Sequence, residues 1–242
     1  MNRLLDPPVP ALELRQVRAG YGRIEVLHGV SFAVPRGSVY ALLGPNGAGK
    51  STTLQVCSGK IRPSSGCVHV AGTHVNGVAP EALSRAGVCR IPEGRGVFPN
   101  LTVDENLRMF TYATELSLLE VQEKAYARFP RLGERHSQLA GTMSGGEQQM
   151  LALSRALVTD PGVLLLDEIS MGLAPLVVAE LYELVRQLAD EGISILLVEQ
   201  FARTALAVAD YAAVLTQGRV AMVGQPADVA DFVSVAYLGG AA

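Results

Sequence analysis

The stretch VYALLGPNGAGKSTTLQVC, Val39 to Cys57, decides the fold. An apolar run, Val39 to Leu43, stops at Gly44. Gly47, Gly49, Lys50 and the hydroxyls of Ser51, Thr52 and Thr53 follow, and then a segment that reads as a helix. Gly44, Gly49, Lys50 and Ser51 fit the spacing G-x-x-x-x-G-K-[ST]. The glycines let the backbone curl so that several N–H groups point into one concavity. That concavity opens a helix, whose N-terminal dipole and free N–H groups favour an anion. Lys50 is placed to reach the outer phosphates of a nucleotide, and the Ser51 hydroxyl to ligate Mg²⁺. The bland alternative is a glycine turn after a strand; the strand before and the helix after are the context that phosphate binding requires.

Outward from this loop, the chain has 242 residues, 49% of them hydrophobic, enough for one large core or a core with a subdomain. A formal net charge of −3, with basic residues scattered, argues against nucleic acid as a partner. No apolar run approaches the ~18 residues of a membrane span. The lead-in MNRLLDPPVPALEL lacks a signal-peptide core, so the expectation is a chain that stays in the cytoplasm. Cys57, Cys67 and Cys89 lack metal-ligand spacing and read as buried free thiols.

ALELRQVRAGYG, VLHGVSFAV and GCVHVAGTHV read as short strands of an antiparallel layer. From Leu101 to Asp160 apolar and charged residues recur at helical spacing, as in DENLRMFTYA and LEVQEKAYARF. GVLLLDE and ISILLVEQ are continuous apolar runs bounded by turns, as buried parallel strands are. The amphipathic LVVAELYELVRQLADEG between them completes a βαβ pattern. Asp167 and Glu168 follow VLLL directly, where a strand end faces a ligand crevice. Asp167 is the candidate Mg²⁺ ligand beside Ser51, and Glu168 the group that orients or deprotonates the attacking water. Two solvated acids at a strand end are the alternative.

TMSGGEQQMLALSRAL begins with Ser144 and Glu147 in the S-x-x-E spacing of a capping box. Gly145 and Gly146 are poor residues for a helix start. They suit a position where something large lies against bare N–H groups, such as a second phosphate chain.

With these motifs in order, nearly the whole chain, from about Leu12 to Gly224, resembles the nucleotide-binding subunits of ATP-binding cassette (ABC) transporters. GPNGAGKST matches the Walker A loop, SGGEQ the signature, and LLLDE the Walker B strand with its catalytic glutamate. The resemblance implies an α/β fold: a RecA-like P-loop NTPase core, an N-terminal antiparallel β layer and an inserted helical subdomain. Residues 1–92 and 157–242 form the core with its β layer, and 93–156 the helical signature subdomain. It implies ATP contacts from Tyr21, Gly44, Pro45, Asn46, Gly47, Ala48, Gly49, Lys50, Ser51, Thr52 and Glu93. Mg²⁺ falls to Ser51 and Asp167, with Glu93 as an added candidate, and catalysis to Glu168 and Gln200. Ser144, Gly145, Gly146 and Glu147 serve the ATP of a partner subunit in trans.

Within the family, IPEGRGVFPNLTVDENL, DEISMGLAP and LLVEQ are most similar to the F-type ATPase subunit of branched-chain amino acid (LIV) importers. Such subunits pair with a second ABC ATPase and drive two membrane permeases fed by a binding protein. That puts the chain at the cytoplasmic face of the inner membrane, peripherally, with no nucleic-acid partner. Several positions depart from the family pattern. Glu93 stands for a glutamine, Gln200 for the switch histidine, Ala174 for the D-loop aspartate, Met143 for the signature leucine and Ile169 for a proline. Gln200 can hydrogen-bond a phosphate but cannot carry charge as histidine does. The alternatives are a urea or amide importer subunit, a soluble ABC protein, and a regulatory ATP-binding module that does not hydrolyse. Val97, Phe98, Leu101, Val103 and Met109 form the expected surface for the permease.

Overall fold

The computed structural model describes residues 8–94, 96–111 and 114–238. The apolar runs form β3 (Val39–Leu43), β7 (Val163–Asp167) and β8 (Ser194–Val198), in which every residue is buried. They do not alternate because both faces of their sheet are covered. Val39, Ala41 and Leu43 pack into one core and Tyr40 and Leu42 into another. β6 (Val88–Ile91), β9 (Tyr211–Thr216) and β10 (Arg219–Gly224) complete a six-stranded sheet in the order β10-β9-β3-β8-β7-β6. All its pairs are parallel except β10 with β9.

The antiparallel layer is a four-stranded sheet, β2-β1-β4-β5, from β1 (Leu12–Tyr21), β2 (Ile24–Val34), β4 (Ser65–Val70) and β5 (Thr73–His74). A bulge at Gln16 (φ 50°) resets the alternation of β1, so that Leu12, Leu14, Val17 and Ala19 all reach the core. β2 and β3, adjacent in sequence, enter different sheets. The layer packs on the face of the parallel sheet that carries Tyr40, Leu165 and Leu196, together with α1 (Lys50–Cys57). α2 (Pro80–Arg85) adds Leu83 to that core.

Between β6 and β7 the described residues form helices: α3 (Val103–Arg108), α4 (Leu118–Arg128), α5 (Pro130–Glu134) and α6 (Gly145–Leu157). Capping boxes open three of them, at Thr102 with Glu105, Ser117 with Glu120 and Ser144 with Glu147. Each is worth about 1 kcal/mol to helices too short to stand alone. These helices cover the other face of the parallel sheet, with α7 (Pro175–Asp190), α8 (Ala202–Leu206) and α9 (Pro226–Leu238). Val103 is fully buried here, so the expected five-residue surface patch shrinks. Only Phe98 and Met109 of that patch are well exposed, because Val103 points inward from the first turn of α3.

Candidate functional site

β3 ends in the loop Gly44–Gly49, and α1 starts at Lys50. Gly44 could be no other residue, since a Cβ there would stand 2.1 Å from the Leu215 carbonyl. Gly49 caps α1 in the left-handed region (φ 105°), and no side chain caps the helix. The free N–H groups of its first turn are therefore left for a ligand. The hairpin between β9 and β10 buttresses the loop, with the Gly218 N–H donating to the Ala48 oxygen at 2.9 Å. Pro45, Asn46 and Gly47 form the exposed rim; Ala48, Gly49 and Lys50 are buried.

Lys50 folds back over the loop. Its Nζ donates to the Gly44 and Pro45 carbonyls at 2.9 and 3.4 Å and lies 3.6 Å from Glu168 Oε1. Ser51 Oγ stands 3.5 Å from Asp167 Oδ1. Tyr21, half exposed at the end of β1, has its hydroxyl 3.4 Å from Thr52 Oγ1. Thus Tyr21, the loop, Asp167 and Glu168 come together at the C-terminal edge of the parallel sheet. A hydroxyl and a carboxylate side by side are a donor set of hard oxygens. It fits Mg²⁺, which takes one or two protein oxygens and completes its shell with phosphate and water.

Glu168 holds a left-handed backbone (φ 48°), unusual for a residue with a side chain. The end of β8 fixes it. Glu168 N–H donates to the Val198 oxygen at 2.9 Å, and Ser170 N–H to Glu199 Oε1 at 3.2 Å. Burial raises the pKa of Glu199, which is 1% exposed. Gln200 follows it, exposed in the bend after β8, and Glu93 is exposed in the turn after β6. A cavity of about 240 Å³, lined by Pro92, Gly94, Gln149 and Glu168 among others, separates Glu168 from that turn and from α6.

The signature residues lie apart from the loop. Ser144 Oγ accepts from Glu147 N–H, and Glu147 pairs with Arg135 at 3.2 Å. Gly146 is buried, and a Cβ there would lie 2.5 Å from Val177 Cγ1 of α7. Packing within this chain therefore already accounts for Gly146, while Ser144 is exposed and Gly145 partly so. A further cavity, about 810 Å³, lies elsewhere, between α4, α6 and the end of α7. The ion pairs Lys124–Asp160 (2.8 Å) and Arg128–Glu191 (2.6 Å) line it.

Arg90 escapes the sequence reading. Its Nη2 donates to Asp167 Oδ2 at 2.8 Å, with both side chains largely buried. The available signal was one cation inside a short apolar strand, VCRI. The three thiols are free as expected, but only Cys57 and Cys89 are buried; Cys67, in the antiparallel layer, is partly exposed, and burial pushes the Cys57 thiol up to about 12.

Residues 27–170 match the family described as ABC transporter. The chain belongs to this family. It is an ABC ATP-binding module. It is 45% identical to the high-affinity branched-chain amino acid transport ATP-binding protein BraG of Pseudomonas aeruginosa, over 95% of this chain and 100% of that protein. It is 37% identical to the probable branched-chain amino acid transport ATP-binding protein LivF of Archaeoglobus fulgidus, over 86% of this chain and 89% of that one. A solved structure of the ATP-binding subunit of an ABC transporter superposes with a TM-score of 0.80 at 32% identity, covering 93% of this chain and 94% of that one. The ADP conformation of another ATP-binding cassette superposes at 0.85 with 26% identity, over 96% and 99%. The expected α/β fold, with its antiparallel layer and inserted helices, is the observed one.

Proposed function

We propose that this module hydrolyses ATP to drive import of branched-chain amino acids, at the cytoplasmic face of the membrane. The observation that carries the reading is the convergence of Lys50, Ser51, Asp167 and Glu168 within hydrogen-bond or ion-pair reach. Lys50 and the loop N–H groups hold the phosphates, and the exposed ring of Tyr21 stacks on the base. Ser51 and Asp167 hold Mg²⁺, which neutralises phosphate charge when bound. Glu168 orients and deprotonates the water. Gln200 contributes a hydrogen bond without charge. Glu93 lines the approach from the turn after β6.

The signature of α6 completes the ATP site of a second ABC ATPase subunit. Two permeases dock on the helical segment 93–156, with Phe98 and Met109 as exposed apolar contacts. A binding protein supplies the substrate outside. The BraG and LivF relatives support the substrate class. Among the described residues no helix is long and apolar enough to cross a membrane. The test is reconstitution: this chain, its ATPase partner and the permeases in vesicles, with leucine, urea and a binding protein for each. ATP-dependent leucine accumulation is expected. Accumulation of urea alone, or ATP turnover without uptake of either, overturns the reading.

A further inference from the structure

The pairing of Arg90 with Asp167 has a chemistry of its own. The two oxygens of Asp167 face different groups: Oδ1 is 3.5 Å from Ser51 Oγ, and Oδ2 is 2.8 Å from Arg90 Nη2. The Asp167 side chain is 3% exposed and that of Arg90 12%. A buried carboxylate beside a guanidinium is close to neutral as a pair, and its attraction for a further cation is weakened. Arg90 reaches Asp167 from the neighbouring strand, since β6 pairs in register with β7. Its buried Nε has no acceptor among the described residues, so Asp167 is its anchor. Lys50, the other buried cation at the site, is held by the loop carbonyls and Glu168, not by Asp167.

We infer that Arg90 is a positioning residue that makes metal binding at Asp167 conditional on nucleotide. It turns Oδ1 toward Ser51, and it supplies the charge that keeps a divalent cation out until phosphates bring the missing negative charge. This rests on the reading of Asp167 as a metal ligand.

The test uses the full chain and Mn²⁺ alone, without nucleotide, followed by electron paramagnetic resonance of free Mn²⁺ and by melting. Arg90→Gln should bind Mn²⁺ roughly tenfold or more tightly than the wild type, the scale by which one adjacent charge moves a carboxylate's affinity for a cation. Its melting temperature should rise with Mn²⁺ while that of the wild type stays flat. Arg90→Lys, which keeps the charge, should behave as wild type. Arg90→Gln with Asp167→Asn should lose the Mn²⁺ response. If Arg90→Gln is unfolded without metal, millimolar Mn²⁺ should restore it, and failure to do so overturns the inference. Equal Mn²⁺ affinity in wild type and folded Arg90→Gln overturns it as well. Asp167→Asn separates the underlying reading. If that variant keeps the wild-type Mg²⁺ dependence of ATP binding, Asp167 is not the metal ligand, whatever Arg90 does.

Discussion

Two helix starts among the described residues, those of α1 and α6, carry glycines, and they are finished in opposite ways. α1 has no side-chain cap, a left-handed Gly49 before it and a buried lysine in its first turn. α6 caps itself: Ser144 and Glu147 exchange hydrogen bonds, and Arg135 neutralises the glutamate. A helix start without a partner for its N–H groups is unstable unless something else supplies one. α1 is thus the end that the proposed function gives to a ligand of its own chain. α6 is complete before any ligand arrives, and its partly exposed start can serve another molecule without depending on it for folding. α7 is a third case: Ala174 at its N-cap position offers neither a cap nor a phosphate cradle.

Glu168 stands on the α1 side of this comparison, 3.6 Å from Lys50. Glu168→Gln should slow hydrolysis by the assembled complex ~100-fold or more while leaving ATP binding intact, the usual scale for a general base. Rates measured on the purified complex decide this, and wild-type turnover would place the base elsewhere. Next in size, Lys50→Ala should weaken ATP binding by roughly 10- to 150-fold, the worth of a hydrogen bond to a charged group. Calorimetry on the isolated chain checks it, and unchanged affinity would remove α1 as the ligand end.

The α6 side calls for a pair of variants. Ser144→Asp keeps an N-cap acceptor but adds a negative charge where a partner's phosphate is to lie. Stability should fall by about 1 kcal/mol, because Ser144 Oγ donates to Glu147 Oε2 at 2.8 Å and a carboxylate there would meet another, while turnover of the complex falls roughly tenfold or more. Ser144→Ala should cost about 1 kcal/mol in stability through loss of the cap. If Ser144→Asp leaves turnover near normal, α6 is a self-capped helix and nothing more. Gly146→Asp is a poorer probe, because its side chain would collide with Val177 in the same chain. The smallest effect belongs to α7. Ala174 has extended backbone (φ −66°, ψ 147°), so Ala174→Asp should add a cap and raise stability by about 1 kcal/mol. A lower melting temperature would mean that the acid meets Glu168 or Glu199 before it meets the helix.

The loop Gly44–Gly49, Asp167, Glu168 and the α6 cap were legible because each is local. Turn glycines, a strand end and an S-x-x-E spacing declare themselves within a few residues. Arg90 was not legible, because its partner lies on another strand and only the register of β6 against β7 brings them together. β6 itself hid behind its arginine, which breaks a four-residue apolar run. Val103 misled for a related reason. It sits in a segment rich in surface residues, and only the rotation of α3, set by the Thr102 cap, turns it inward. The βαβ pattern named the sheet, but not that β3 would lie between β8 and β9.

That central place of β3 bears on how the protein is made. Its two neighbours in the sheet, Ser194–Val198 and Tyr211–Thr216, are synthesised long after it. At 5–20 residues per second, the ribosome needs roughly 10 to 30 s to pass from the Gly44–Gly49 loop to the second neighbour. Until Ser194–Val198 is made, near the end of that interval, the apolar strand lacks both of its sheet neighbours, the condition under which nascent chains associate wrongly or are held by chaperones. Leu215, whose carbonyl bounds Gly44, arrives at the end of the same interval. The loop Gly44–Gly49 is therefore among the early stretches translated and among the last to have its neighbours in place.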